Sequence, residues 1–375
     1  MQRIHTQTEA LNQLSVCFLP NIMKKHNFSA GPSILPQSVF EKASKAVLNF
    51  EDSGLSILEI SHRSKEFLNV IEKARTLALQ TAGLDNSYEA LFLHGGASTQ
   101  FLCVPYNLLE KKAAYIDTGT WSNKALKEAQ LFGNVEIIAS SKADGYKYIP
   151  KDFSIPSDAD YLHITTNNTI YGTQFHHIPD TEIPLVADMS SDIFSRDIDY
   201  SKFSLIYAGS QKNLGASGTA MVLVKKEILG KVSRKIPSIL DYQNQIQHES
   251  MFNTPTTFSV YVNLLVLQWI QEKGGVKALE KLNKDKAELL YNEIDRNPLV
   301  EGYATKEDRS LMNVSFFLKD ASMQEKFDTL WQNADISGLK GHRNLGGYRA
   351  SIYNAMPIES VQVLVDVLQE FERKA

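Results

Sequence analysis

The chain has 375 residues, with 39 lysines and arginines against 43 aspartates and glutamates, a formal net charge of −4. Its 43% hydrophobic and 22% charged content excludes disordered and collagen-like classes, and the near-balanced charge argues against a nucleic-acid partner, which needs a basic face. Two cysteines, Cys17 and Cys103, are too few for a disulfide framework and point to a reducing, cytoplasmic setting, while the longest apolar run, near 260–270, is about half the roughly 20 residues that a membrane span needs.

Residues 1–22 are rich in Gln, Asn and Thr and lack the apolar core and cleavage site of a signal peptide. Their character changes at Met23, ahead of the tight-turn cluster Ser29-Ala30-Gly31-Pro32. The expectation is a dispensable extension, with a short docked arm as the alternative. A large unit over 23–282 and a smaller one over 283–375 are expected to follow.

Within the large unit, β-branched and apolar runs predict strands at Tyr88–Leu93, Ala113–Asp117, Val135–Ile138, Tyr161–Thr165, Leu185–Asp188, Leu205–Tyr207 and Ala220–Val224. Helical spacing covers Gln37–Phe50, Gln100–Leu109 and Ser122–Phe132. Such alternation predicts βαβ units and an α/β fold with a mostly parallel sheet flanked by helices, whose ligand sits beyond the carboxyl ends of the strands. Thr257–Gln271 reads as an apolar helix stopped by Gly274-Gly275. Val276–Arg296 reads as a second helix with its Lys and Glu residues on a solvated face. The smaller α/β unit holds strand candidates at Met312–Leu318 and Tyr348–Tyr353 and a last helix over Ile358–Glu372.

The residues that follow each strand form a pattern. His94-Gly95-Gly96-Ala97-Ser98-Thr99 precedes a helix, where paired glycines allow close backbone approach and free N–H groups favour an anion. Asp117-Thr118-Gly119-Thr120-Trp121 places a tryptophan at a strand-to-helix crossing. Asp188 ends an otherwise apolar strand, and Lys212 follows the next one, 24 residues on, among glycines 209, 215 and 218. Taken singly these have plainer readings: a turn, a packed ring, a solvated lysine. In combination they supply what pyridoxal phosphate requires, namely a Schiff-base lysine, a carboxylate for the pyridine nitrogen, an aromatic face and a helix N-terminus for the phosphate. No G-x-G-x-x-G follows a strand and no G-x-x-x-x-G-K-[ST] occurs, so nicotinamide and ATP sites lack support.

The segments HNFSAGPSILP (26–36), ISHRSKEF (60–67), GGASTQF (95–101), DTGTWS (117–122), ADMSSDIFSR (187–196), YAGSQKNLG (207–215), MFNTPTTFSVY (251–261) and GHRNLGGYRASIYNAMP (341–357) carry a resemblance. Through them the chain resembles the phosphoserine aminotransferase family, among the class V, fold-type I pyridoxal-phosphate enzymes. The resemblance implies that Lys212 carries the cofactor and then moves a proton as general base and acid. It implies that Asp188 pairs with the pyridine nitrogen, Trp121 stacks on the ring and Thr169 lies near the ring hydroxyl. Ala97, Ser98 and Gln211 would hold the cofactor phosphate, with Asn253 and Thr254 reaching it from a partner subunit, so a homodimer with shared active sites is implied. His62, Arg63, His342, Arg343 and Arg349 would bind substrate. The implied reaction converts glutamate and 3-phosphohydroxypyruvate to 2-oxoglutarate and O-phospho-L-serine in serine biosynthesis, with 4-phosphohydroxythreonine left open as a second substrate. Arginine forks suit both the carboxylates and the phosphate.

The chain departs from the family in places. Ser98 stands where many relatives have an arginine, which puts in question any substrate contact of that arginine. Asn167-Asn168-Thr169-Ile170 and Thr254-Pro255-Thr256-Thr257-Phe258 vary the usual motifs but keep the assigned residues. His176-His177 lacks acidic or cysteine partners at ligand spacing, so no metal is expected. The rival readings are another class V aminotransferase for a small unphosphorylated keto acid, and a non-catalytic binding module that kept the fold.

Overall fold

The computed structural model describes residues 25–375, so the expected extension at 1–22 and Cys17 lie outside the described residues. In chain order, β1 (His26–Asn27), α1 (Gln37–Leu48) and α2 (Lys65–Ala82) come first. The alternating run is β2 (Tyr88–His94), α3 (Gly96–Leu108), β3 (Lys112–Asp117), α4 (Thr120–Ala129) and β4 (Asn134–Ser140). Then come β5 (Tyr161–Thr165), the short hairpin β6 (Asn167–Asn168) and β7 (Thr173–Gln174), β8 (Leu185–Asp188), β9 (Leu205–Gly209) and β10 (Thr219–Lys225). Helices α5 (Tyr242–Gln247), α6 (Thr257–Glu272) and α7 (Gly275–Arg296) lead into the C-terminal part. That part holds β11 (Val300–Gly302), β12 (Asn313–Leu318), α8 (Gln324–Asn333), β13 (Ile336–Ser337), β14 (Tyr348–Ser351) and α9 (Ile358–Lys374).

A seven-stranded sheet has the order β2–β10–β9–β8–β5–β3–β4. β10 is antiparallel to both neighbours and the other pairs are parallel. Both faces are covered, as period-two side-chain alternation shows. Phe92, Ile206, Ala208, Met221 and Leu223 pack into one cluster with residues of α1, α2 and α6. Leu91, Leu93, Leu205, Tyr207 and Val222 pack into another with residues of α3, α4 and α5. Double coverage explains why β8 and β9 read as continuous apolar runs.

The smaller sheet, β11–β12–β14, is antiparallel and is covered by α7, α8 and α9. β1 pairs in parallel with β13, and Phe28 and Ile34 belong to this second cluster, so the start of the described chain packs with its end. The 282/283 division falls inside α7, a continuous helix whose Leu279 touches the large cluster while Leu290 and Ile294 touch the small one.

Three local expectations differ from the structure. α3 starts at Gly96 rather than Gln100, because Gly95 takes a left-handed φ of 89° at its N-cap and draws the Gly-Ala-Ser-Thr run into the first turn. α2 was not among the predicted helices although its signals are present: the Ser64 hydroxyl accepts from the Phe67 N–H, and Gly83 closes it at φ 65°. The solvated face expected for the Lys and Glu residues of α7 is corrected at two positions, since Lys286 and Glu293 are buried. Lys286 donates to backbone carbonyls and Glu293 accepts from Asn297 and Arg296, so specific partners offset their burial.

Phe327, fully buried, sits edge-on to Tyr348 with ring centroids 4.8 Å apart and also contacts the Phe371 ring. Phe327→Ala should therefore cost about 3–5 kcal/mol, read as a lowered denaturation midpoint.

Candidate active site

The carboxyl ends of β8 and β9 open on a cavity of about 400 Å³ lined by Asp188, Lys212, Trp121, Gln211, Ala97 and Ser98, with Gly31, Pro32, Gly95, Gly96, Phe101, Ser190, Ser217 and Gly218 completing it. Register sets the floor: Asp188 lies opposite Thr165 on one side and Tyr207 on the other. The Asp188 carboxylate is 4% exposed and accepts the Ser190 N–H at 2.9 Å. Burial raises its pKa above the ordinary value, while the Lys212 charge and the Ser190 contact act to lower it.

Lys212 follows β9 on a tight loop. Gly209 leaves room there for the Gln211 side chain, whose Oε1 would lie 2.8 Å from an added Cβ. The turn at 30–33 clamps the loop from outside: the Ser33 N–H donates to the Gln211 carbonyl at 3.0 Å and its hydroxyl to the Lys212 carbonyl at 2.6 Å. The Lys212 Nζ donates to the Thr169 hydroxyl at 2.8 Å and lies 5.9 Å from the Trp121 ring centroid. Burial pushes its pKa down to about 8, against the upward pull of Asp188, and the Arg349 charge lowers it further.

α3 aims its N-terminus into the same cavity. The N–H groups of Gly96, Ala97 and Ser98 stand in its first turn, where an α-helix supplies no acceptor, so they suit an anion. A side chain at Gly95 would strike the Thr99 hydroxyl, at 1.8 Å from its Cβ.

Trp121 opens α4, and its Nε1 is buried without a hydrogen-bond partner. The turn before it is braced by Asp117, whose carboxylate accepts from Ser122, Asn123, Ser140 and Tyr146. The Thr118 and Gly119 N–H groups both donate to the Ser122 hydroxyl at 2.9 Å. Asn168, which accepts from the Thr118 hydroxyl, ties this turn to the hairpin that carries Thr169.

From the smaller sheet, β14 carries Arg349, whose Nε is buried without a partner. His342 and Arg343 lie in the loop before β14. The His342 imidazole is held below its ordinary pKa by burial first and then by the positive charges of Arg349, Arg343 and Lys124. This corner therefore gathers the positive charges of Arg349, Arg343 and Lys124 around the His342 imidazole, with no carboxylate acting on it among the described residues.

The structure thus brings together Lys212, Asp188, Trp121, Thr169, Ala97, Ser98 and Gln211, with Arg349, His342 and Arg343 beside them. Arg63 is exposed and His62 half-buried on the turn before α2, and Asn253 and Thr254 are exposed before α6. None of these four lines the cavity of its own chain, and neither do Thr169, His342, Arg343 and Arg349, of which Thr169 reaches the site through the Lys212 amine and Arg349 through its charge on that amine. Sequence reasoning gave no role to Ser190, which orients Asp188 and whose hydroxyl accepts the Gly209 N–H at 3.0 Å. Its place two residues after a strand-end aspartate was the available signal. It also missed Lys124, one helical turn beyond Trp121 and 4.6 Å from that ring's centroid.

The donor set fits pyridoxal phosphate: an apolar-walled slot beside an indole, a buried carboxylate seeking a cationic partner, an amine of depressed pKa and a helix start free of acceptors.

Residues 25–364 match the family model for class-V aminotransferases. A phosphoserine aminotransferase of Flavobacterium johnsoniae is 66% identical over 355 residues, which cover 94% of this chain and 100% of the relative. Among solved structures, a phosphoserine aminotransferase from Bacillus circulans subsp. alkalophilus superposes with a TM-score of 0.91 at 41% identity, covering 94% of this chain and 99% of that one. A pyridoxal-phosphate-bound phosphoserine aminotransferase from Trichomonas vaginalis gives 0.87 at 35% identity, covering 92% and 100%.

In the cofactor-free protein, acylation of Lys212 by an amine-directed reagent should rise with pH with its midpoint at about 8. Solvated lysines should keep gaining reactivity past about 10. Peptide mass spectrometry after timed labelling checks this, and a Lys212 midpoint at the solvated value would contradict its burial.

Proposed function

This chain belongs to the class-V aminotransferase family, and we propose that within it the chain transfers an amino group from glutamate to 3-phosphohydroxypyruvate, forming 2-oxoglutarate and O-phospho-L-serine for serine biosynthesis. The observation that carries this reading is the Arg349 guanidinium, whose charge acts on the Lys212 amine and which has the Arg343 guanidinium and the His342 imidazole grouped near it, because both substrates are polyanions whose reacting carbon adjoins a carboxylate. The similarity to curated phosphoserine aminotransferases over nearly the whole chain supports the same substrates.

Pyridoxal phosphate supplies, when bound, a carbonyl that takes up the amino group and a ring that accepts the electron pair freed at the neighbouring carbon. Ala97, Ser98 and Gln211 would hold its phosphate, Trp121 its ring face, Asp188 its pyridine nitrogen and Thr169 its ring hydroxyl. A buried carboxylate at Asp188 is held charged only by a cationic partner, so it favours the protonated pyridine. Lys212, with a pKa near 8, has a substantial neutral fraction near neutrality and above. Its Nζ takes the α-proton of glutamate and later delivers a proton to the carbon that becomes Cα of phosphoserine. Arg349 binds the carboxylate next to the reacting carbon with its planar fork, while His342 and Arg343 take the distal carboxylate or phosphate.

The proposed assembly is a homodimer in which His62, Arg63, Asn253 and Thr254 serve the partner's cavity. In support, Arg63, Asn253 and Thr254 are exposed and His62 is half-buried, and the exposed apolar residues Leu55, Leu58 and Phe252 lie within a few residues of them in the chain. We place the two domains at 23–282 and 283–375, with the change of domain inside α7 and the segment around Phe28 and Ile34 packed on the smaller one, residues 1–22 dispensable, and the enzyme in the cytoplasm, where its water-soluble substrates would be met.

A donor panel tests the reaction. With 2-oxoglutarate as acceptor, phosphoserine should exceed serine and alanine by at least about 100-fold in kcat/KM, because a site built for an anion rejects analogues lacking it. Phosphohydroxythreonine in the same panel decides the second substrate. Comparable turnover of alanine would overturn the phosphorylated-substrate reading in favour of a small keto acid. Lys212→Ala should lose both turnover and the visible absorbance of the loaded enzyme, and retention of the two would remove the lysine from the mechanism.

A further inference from the structure

Lys286 lies in the middle of α7, and only 2% of its surface is exposed. Its Nζ donates to the Ile352 carbonyl at 3.0 Å and to the Tyr353 carbonyl at 2.7 Å. Burial lowers its proton affinity, to a pKa of about 7, and among the described residues no neighbouring charge offsets that effect. With no carboxylate beside it, this amine is held in place by the two carbonyls it satisfies, so its position and theirs depend on each other.

The segment that Lys286 holds connects the two halves of the site. Arg349 lies three residues before Ile352, on the strand that leads into it. On the other side, the Asn354 N–H donates at 3.0 Å to the Asn213 side chain, and Asn213 directly follows Lys212. The Tyr353 hydroxyl donates at 2.8 Å to the Ala30 carbonyl, in the turn whose Ser33 hydroxyl clamps the Lys212 carbonyl. One turn before Lys286, the Asn283 amide donates to both Asn354 and the Ser195 carbonyl. Residues 352–354 are thus gripped from α7 on one side and from the Lys212 loop on the other.

We infer that Lys286 is a positioning residue for the transamination: by holding the Ile352 and Tyr353 carbonyls it fixes the strand end that sets Arg349 relative to the Lys212 amine. The inference rests on the aminotransferase reading above. It assigns Lys286 no contact with substrate or cofactor.

The test compares holoenzymes of the natural chain, Lys286→Met and Lys286→Arg. Lys286→Met keeps length and apolar bulk but loses both donors. It should raise the KM for glutamate and 3-phosphohydroxypyruvate about tenfold with kcat at saturation within about twofold, the pattern of lost substrate binding through a displaced Arg349. The calorimetric Kd of 2-oxoglutarate for the loaded enzyme should rise in parallel, while the cofactor absorbance stays unchanged. Lys286→Arg, which keeps donors, should recover part of the loss. An unchanged KM and Kd, whatever happens to thermal stability, would make Lys286 a structural strut only and overturn the inference. Should Lys286→Met fail to fold, Lys286→Gln, with an amide donor of shorter reach, carries the same comparison. Absent turnover in the natural chain would instead strike the aminotransferase reading.

Discussion

The arrangement depends on two opposite charges taken out of water on adjacent parts of the sheet. Burial pushes Asp188 toward its protonated form and Lys212 toward its neutral form, and each charge acts to hold the other ionised. Such a balance survives only if the spacing is fixed, because a buried charge that loses its partner costs several kcal/mol. Much of the large domain supplies that fixity. Parallel pairing of β5, β8 and β9 sets the two strand ends, and the Ser190 hydroxyl joins them through the Gly209 N–H. Thr169 fixes the amine, and the N-terminal turn closes over the Lys212 loop. What results is a lysine whose proton affinity burial lowers, to a pKa of about 8, opposite a carboxylate whose proton affinity burial raises.

The same physics separates the overall charge from what the site can bind. A chain at −4 is mildly repulsive to a polyanion at long range, yet around His342 the acting charges are all positive. Many carboxylates are occupied elsewhere, as in the Arg75–Glu89, Arg309–Asp295 and Lys112–Asp158 pairs. Over distances beyond about 8–10 Å, salt screens the net charge, so the local cation group decides which ligand is held.

Legibility in the sequence followed how local each signal was. Asp188, Lys212 and the Gly95-Gly96 turn could be read because a strand end and its next few residues lie together in the chain. Strand limits were legible for the same reason, since β5 and β8 alternate between two apolar layers and stop at polar residues. Arg349 and His342 carry no local mark that separates them from surface cations, and only the family resemblance singled them out. His62, Arg63, Asn253 and Thr254 stand outside their own chain's cavity, so neither local pattern nor the single-chain fold gives them a task. The GGAST run was assigned to a loop before a helix because a left-handed Gly95 cap is not expressed in hydropathy.

The misreading of α7 shows a limit of hydropathy itself. Helical periodicity sorts residues by the side chain's transfer cost and ignores which acceptor waits at the other end. β14 ends at Ser351, so the Ile352 and Tyr353 carbonyls leave the ladder while still buried, and a buried carbonyl needs a donor. Lys286 provides that donor from α7, the long helix that runs from one hydrophobic cluster into the other. The demand therefore originates in the backbone of a strand some 65 residues away along the chain, where no pattern local to α7 could register it. A lysine on the buried face of a helix is the visible half of such a demand, and the strand end it satisfies is the one that carries Arg349 to the site.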